Sequence, residues 1–293
     1  MSTVTPAEVV APSDGSWRAA RAFFRNPAAI AATAFLVFVV IAALSAPLIY
    51  PEDPLSMVAR PFLWPWQNPK HPLGTDSLGR DVTAGLVWGS RISLVIGIAA
   101  MALGVTIGIF VGATAGYFGG RIDDGLVRLI EIFQTTPSFL MLVVLVAIAE
   151  PRVESITVGI ALVTWPTIAR LVRAEFRSLR EKDFVTAARG LGYGHARIIF
   201  IEVLPNALPP IIVTSSVIVA SAILMESALS FMGLGDPNRI SWGSMIGAGR
   251  ETLRTAWYLT AVPGIAIVLT VLALNMIGDA LNDALNPRLS GER

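Results

Sequence analysis

Uninterrupted apolar runs, set apart by short charged or turn-rich stretches, organise the whole chain. A helix needs about 20 apolar residues to cross the hydrocarbon core of a bilayer. Six segments meet or approach that length: residues 28–49, 92–117, 126–149, 155–172, 209–232 and 256–278. The third qualifies with Arg128 and Glu131 at its end, spaced i,i+3 so that they can pair. The fourth is the shortest, and the fifth carries one carboxylate, Glu226. The first run holds 22 uncharged residues, longer than the roughly 7–15-residue apolar core of a cleaved secretory signal, so it is expected to be a retained spanning helix. The pattern therefore predicts an all-α polytopic membrane protein with six transmembrane helices.

Composition agrees: 54% of the 293 residues are hydrophobic and only 15% charged, against about 25% charged in soluble domains. Charge placement then sets orientation, because inner loops accumulate Lys and Arg. With the N-terminus inside, 14 of the 22 Lys and Arg residues fall on the inner side, which predicts that both termini are cytoplasmic. The expected organisation is a cytoplasmic tail over residues 1–27, a first transmembrane helix over 28–50 and an extracytoplasmic loop over 51–90. A core of five helices follows over 91–285, with a cytoplasmic loop at 173–207, and then a tail over 286–293. Gly104, Gly108, Gly112 and Gly116 repeat every fourth residue, a small-residue stripe that lets another helix approach closely. In the outer loop, Trp64 and Trp66 suit the membrane interface. Pro72, Gly74 and Gly79 make turns, with Asp76 and Asp81 expected to bracket Arg80.

Several chemistries are excluded. A nucleotide P-loop needs Gly-Lys-Ser/Thr, and the two lysines follow Pro69 and Glu181. There is no cysteine, so there is no disulfide, thiolate nucleophile or cysteine-held zinc. His71 and His195 fall on opposite sides of the membrane in this topology, and no G-x-S-x-G element occurs. The net charge of +1 offers no basic field for nucleic acid. A non-catalytic membrane protein is expected.

One stretch does not suit lipid: DFVTAARGLGYGHARIIFIEVLPN, residues 183–206. Asp183 is placed to cap a short helix over residues 183–191. Phe184, Ala187, Ala188 and Leu191 recur at i, i+3, i+4 and i+7 as one apolar face. Gly190, Gly192 and Gly194 then break it. Such a helix suits either a connector lying on the bilayer surface or a docking element that enters a partner's groove. Ala187 and Ala188 would keep the exposed face small. Glu226 is likewise open to two readings, a polar tie within the bundle or a group lining a translocation path.

The same stretch resembles the EAA loop of permease subunits of bacterial ABC importers, in which Glu-Ala-Ala is followed after three residues by Gly and, nine residues later, by Ile-x-Leu-Pro. Ala187, Ala188, Gly192, Leu204 and Pro205 fit that spacing, while Thr186 replaces the Glu and Glu202 the Ile. HPLGTDSLGRD (71–81), ESALSFMGLG (226–235), SWGSMI (241–246) and GDALNDALNPRL (278–289) are similar to the C-type permeases of dipeptide, oligopeptide and nickel importers. The resemblance implies a type I importer permease fold in the bacterial inner membrane. It implies a second, unlike permease, an extracytoplasmic substrate-binding protein, and two ATPase subunits that bind the ATP and Mg this chain does not. Its cargo would be di- or oligopeptides. It assigns ATPase coupling to Asp183, Ala187, Ala188, Arg189, Leu191 and Gly192, and leaves Glu226 as a candidate for the path. The rival expectations are a secondary transporter or channel that needs no ATPase, or a membrane scaffold without transport. The first would need internal ion or proton sites, usually several intramembrane carboxylates or broken helices, and the single mid-chain Glu226 and the lack of an inverted repeat argue against it.

Overall fold

The computed structural model describes residue 21 and residues 23–285. Most of the expected N-terminal tail, all of the expected tail at 286–293, and the end of the last motif lie outside the described residues. Helix α1 is Pro27–Ile49, opened by the Asn26 side chain accepting from the amides of Ala28 and Ala29. Helices α2 (Val82–Phe118), α3 (Gly120–Thr135), α4 (Ser138–Ala149) and α5 (Val153–Leu179) follow. Next come the short α6 (Asp183–Gly190) and α7 (His195–Arg197). A π-helical turn, Ile198–Val203, then leads into α8 (Leu204–Phe231). Helices α9 (Trp242–Gly249) and α10 (Tyr258–Leu285) complete the described chain.

Five of these rods are long and apolar enough to span a membrane, counting His195–Phe231 as one, and α3 with α4 reaches that length and hydropathy only as a bent pair, a sixth span if the two are counted as one. That bend corrects the expected continuous helix over residues 126–149. The residue before a proline is pushed out of the α region. Thr136, before Pro137, accordingly sits at φ −93°, ψ 136°, and the two halves meet at 82°. The expected Arg128–Glu131 pair does not form among the described ion pairs. Instead, Arg173 of α5 donates from Nε and Nη2 to the two oxygens of Asp123 on α3. This fork-on-carboxylate contact pins α3 to α5. Helix α2 starts at Val82 rather than at 92, because the Asp81 carboxylate accepts from the amides of Thr83 and Ala84 and so caps the helix early. The outer loop is correspondingly shorter than 51–90. Helix α5 runs past residue 172 to Leu179, carrying the inner charges beyond the apolar span.

The glycine stripe of α2 packs on α5. A Cβ built on Gly104, Gly108, Gly112 or Gly116 would meet Thr164, Ile168, Ala169 or Phe176, in that order. The contacts advance together along both helices, so α2 and α5 run parallel. Helix α8 returns antiparallel, with Ile223 against Gly97. Helix α10 then lays Gly278 on Ser216. Without a hydrophobic driving force between helices in lipid, this close packing is what holds them together.

The outer loop is tied to the bundle by buried hydrogen bonds. The Tyr258 hydroxyl lies 2.9 Å from the Leu63 carbonyl and 2.8 Å from that of Thr75; the Trp242 indole joins α9 to α2 by donating to the Leu86 carbonyl at 2.9 Å. Gly74 adopts φ +81°, and a Cβ there would strike the Leu63 carbonyl oxygen. The expected bracket on Arg80 takes another form. Asp76 accepts from the Arg80 backbone amide at 2.8 Å, while Asp81 pairs with His71 at 2.8 Å.

The orientation can be checked directly, since the chain contains no cysteine. A single cysteine at Ser77 is expected to react with an impermeant maleimide from outside, and one at the exposed Ser178 only after the inner face is opened. The opposite pattern would invert the topology.

Candidate functional site

The polar stretch after α5 folds back as a knuckle on the face where the charge pattern predicts the cytoplasm. Helix α6 begins with Lys182 as N-cap and no side-chain cap bond. Asp183, expected to cap it, is instead its first helical residue, where its charge still faces the positive end of the helix dipole. The helix ends in a Schellman arrangement: the Tyr193 amide donates to the Ala188 carbonyl and the Gly192 amide to that of Arg189. Gly192 sits at φ +77°, the left-handed conformation this cap demands. Its place in the motif is thus a backbone requirement.

The face presented differs in part from the expected one. Val185 and Ala188 are buried at 0% and 5% exposure, in the cluster that holds Tyr117, Phe176, Ile198 and Val203. Ala188 therefore anchors α6 to its own bundle, contrary to the expectation that it faces a partner. Ala187 is exposed, as are Phe184 at 39% and Leu191 at 72%. Those three lie at i, i+3 and i+7, an apolar stripe left uncovered by this chain. Asp183 and Arg189 flank it and are exposed, with the Arg189 guanidinium carbon 5.5 Å from the Tyr117 ring centre.

Sequence reading missed how firmly the knuckle is braced. His195 Nδ1 lies 3.0 Å from the Tyr117 hydroxyl at the inner end of α2. Arg180 donates to the Gly116 carbonyl at 3.2 Å, and Arg197 stacks 3.9 Å from the Tyr193 ring centre. Downstream, the Leu204 amide reaches back to the Ile199 carbonyl, the long bond of a π turn. This turn precedes Pro205, Pro209 and Pro210, which lack amide donors. Only the pairing of Tyr117 with His195 could have been suspected beforehand, as two polar aromatic residues at inner helix ends. The inner ends of α2 and α5, the knuckle and the start of α8 share one core cluster. A push on α6 therefore reaches three membrane helices at once.

Glu226 lies elsewhere, near the outer end of α8, and is 1% exposed. Ser230 donates to one of its oxygens at 2.7 Å and Ser93 of α2 to the other at 3.3 Å. Ser93 in turn accepts from the Trp242 amide of α9 at 3.4 Å. The carboxylate ties three helices together and, within this chain, faces no open channel. No cluster of potential metal ligands occurs among the described residues.

Comparison with known proteins gives a consistent picture. Residues 104–291 match the family model described as binding-protein-dependent transport system inner membrane component. Residues 16–73 match the N-terminal transmembrane domain of oligopeptide transport permease C. The di/tripeptide transport system permease DppC of Pseudomonas aeruginosa is 38% identical over 92% of this chain and 91% of its own. The dipeptide permease DppC of Haemophilus influenzae is 36% identical over 91% and 92%, and a putative peptide permease of Brucella suis is 40% identical over 92% and 90%. Among solved structures, the MetNI methionine ABC transporter aligns with TM-score 0.58 at 18% identity, over 69% of this chain and 96% of that one. An amino acid ABC transporter aligns with TM-score 0.53 at 16% identity, over 68% and 94%. At these identities the structures speak for the fold alone, that of an ABC importer permease.

Proposed function

We infer that this chain, which belongs to the inner membrane components of binding-protein-dependent transport systems as a DppC/OppC-like permease subunit, forms half of the translocation path of an ATP-driven importer of di- or oligopeptides. The observation that carries the substrate class is the identity to dipeptide and di/tripeptide permeases over nine-tenths of both chains. The chain is a multi-pass, non-catalytic subunit of the inner membrane. It works with a second permease, two ATPase subunits and an extracytoplasmic binding protein, and the ATP and Mg belong to the ATPase subunits.

In this reading the knuckle is the mechanical contact with one ATPase subunit. Phe184, Ala187 and Leu191 enter a groove on it, the helix-in-groove mode, with Asp183 and Arg189 at the rim. Ala188 and Gly192 act from behind, one seating the helix and the other turning its end. ATP binding draws the ATPase subunits together, and the knuckle conveys that displacement to the inner ends of α2, α5 and α8. A ligand shifts such an equilibrium only by binding one state better than the other. The ATPase pair therefore has to hold the knuckle differently when closed. Glu226 is assigned to holding α2, α8 and α9 together at the outer end of the path, and not to meeting cargo. The tails at 1–27 and 286–293 are assigned to the cytoplasm, and α1 to an accessory helix beside the core.

The test is to tag this chain in its native host and purify it in mild detergent. The expected result is co-purification of a second permease and two ATPases, and loss of labelled Ala-Ala uptake when the gene is deleted. A tagged chain that comes down alone, in cells whose peptide uptake is unchanged by the deletion, would refute the reading.

A further inference from the structure

The outer face carries a cleft of about 330 Å³ between the outer loop, the end of α8 and α9. Three guanidinium groups line it, Arg80, Arg239 and Arg250, each from a different segment. Among the described residues, none of them pairs with a carboxylate. Arg80 Nε is buried without a hydrogen-bond partner, and a buried charged donor left unpaired is costly. Arg250 donates to the Phe231 carbonyl at 3.0 Å and lies 5.6 Å from that ring's centre. These contacts fix the side chain while leaving most of its donor fork unused.

Three aspartates also line the cleft, so its formal charge balances. Their oxygens, however, are largely engaged. Asp81 accepts from the amides of Thr83 and Ala84 and pairs with His71. Asp236 accepts from the amides of Asn238 and Val153. Asp76 Oδ1 accepts from the amides of Leu78 and Arg80. What the cleft has in surplus is therefore guanidinium donors. Their planar fork fits the two oxygens of a carboxylate. The three aspartates count against a dianion such as phosphate, which they would repel more strongly than a monoanion.

We propose that this cleft is a carboxylate-binding site at the outer mouth of the permease. The inference rests on the peptide-importer reading above. Two sources share the chemistry: the terminal carboxylate of a peptide being handed over, and an acidic side chain of the docked binding protein. Arg239 and Arg250 are exposed and reachable by either.

The experiment uses the complete transporter, both permeases and both ATPases, in nanodiscs. Wild type is compared with Arg239→Gln, with Arg239→Gln/Arg250→Gln, and with Arg254→Gln, an outer arginine that does not line the cleft. The probes are Ala-Ala, its C-terminal amide, and the cognate binding protein, with thermal unfolding of each variant as the folding control. If the peptide supplies the carboxylate, Ala-Ala binds without the binding protein and its amide does not, and the double variant weakens binding by about tenfold or more. If the binding protein supplies it, free Ala-Ala does not bind, and the binding protein's Kd rises by about tenfold with reduced salt dependence. Arg239→Gln alone shows the same direction, and Arg254→Gln matches wild type. Folded variants that keep both affinities within about twofold of wild type overturn the proposal. Failure of the binding protein to stimulate ATP hydrolysis by the wild-type complex would count instead against the importer reading, so the two failures are separable.

Discussion

Replacing Gly112 with leucine is expected to remove most of the folded protein from the membrane. A Cβ at Gly112 would lie 2.5 Å from the Ala169 carbonyl oxygen and 2.8 Å from Val172 Cβ. One neighbour is backbone and the other belongs to a residue at 0% exposure, so neither can yield. Gly108 and Gly116 are equally tight, at 2.5 Å from Ile168 Cγ2 and 2.6 Å from Phe176 Cβ. A leucine at Gly112 must drive α2 away from α5, and overpacking of this kind costs about 3 kcal/mol or more when backbone has to move. Because α2 and α5 share a cluster with the knuckle, their separation would also dislodge the proposed ATPase contact. The comparison is Gly125→Ala, where an added Cβ meets nothing within 4 Å and the change is expected to be neutral or stabilising by up to about 1 kcal/mol, since alanine suits a helix interior better than glycine. Membrane-fraction abundance and thermal unfolding in detergent measure both. A Gly112→Leu protein that accumulates and unfolds like wild type would mean that the stripe does not hold the pair together.

The second large effect leaves the fold intact. Leu191→Asp changes a side chain that is 72% exposed and, in the proposed coupling, buried in a groove on the ATPase subunit. Burying an unpaired carboxylate there costs several kcal/mol. About 3 kcal/mol corresponds to roughly a hundredfold weaker association. Normal abundance and normal unfolding are expected, with the ATPase subunits lost on purification and Ala-Ala uptake reduced by about a hundredfold. Val185→Asp is the contrasting change. Val185 is fully buried in this chain's own core, so that variant is expected to lose the protein itself. Retention of the ATPases by Leu191→Asp would move the contact away from the knuckle's apolar stripe.

Much of this architecture is legible in the residues. Apolar run length locates the membrane helices because lipid leaves the backbone few alternatives, and the fourth-residue glycines identify the face of α2 that meets another helix. The EAA-like spacing marks the knuckle, and the curated relatives extend that resemblance over nearly the whole chain. What remained hidden depends on partners far apart in sequence. The break at Thr136 needed Pro137 to outweigh the hydropathy of residues 126–149. Ala187 and Ala188 look interchangeable in sequence. Which of them faces outward depends on where Tyr117 and Ile198 stand, since these build the cluster that covers Ala188. Glu226 carries no mark of its partners, because Ser93 lies on another helix. The arginine-lined cleft draws on four separate stretches of the chain.

The central claim is that this chain is a gate moved from outside itself. The most direct measurement is Ala-Ala uptake against a gradient by proteoliposomes that hold both permeases, with the binding protein outside and ATP within. Uptake is measured with and without the two ATPase subunits. Accumulation only when the ATPases are present, and its loss with Leu191→Asp, is the predicted result. Accumulation to the same level in vesicles lacking them would contradict it.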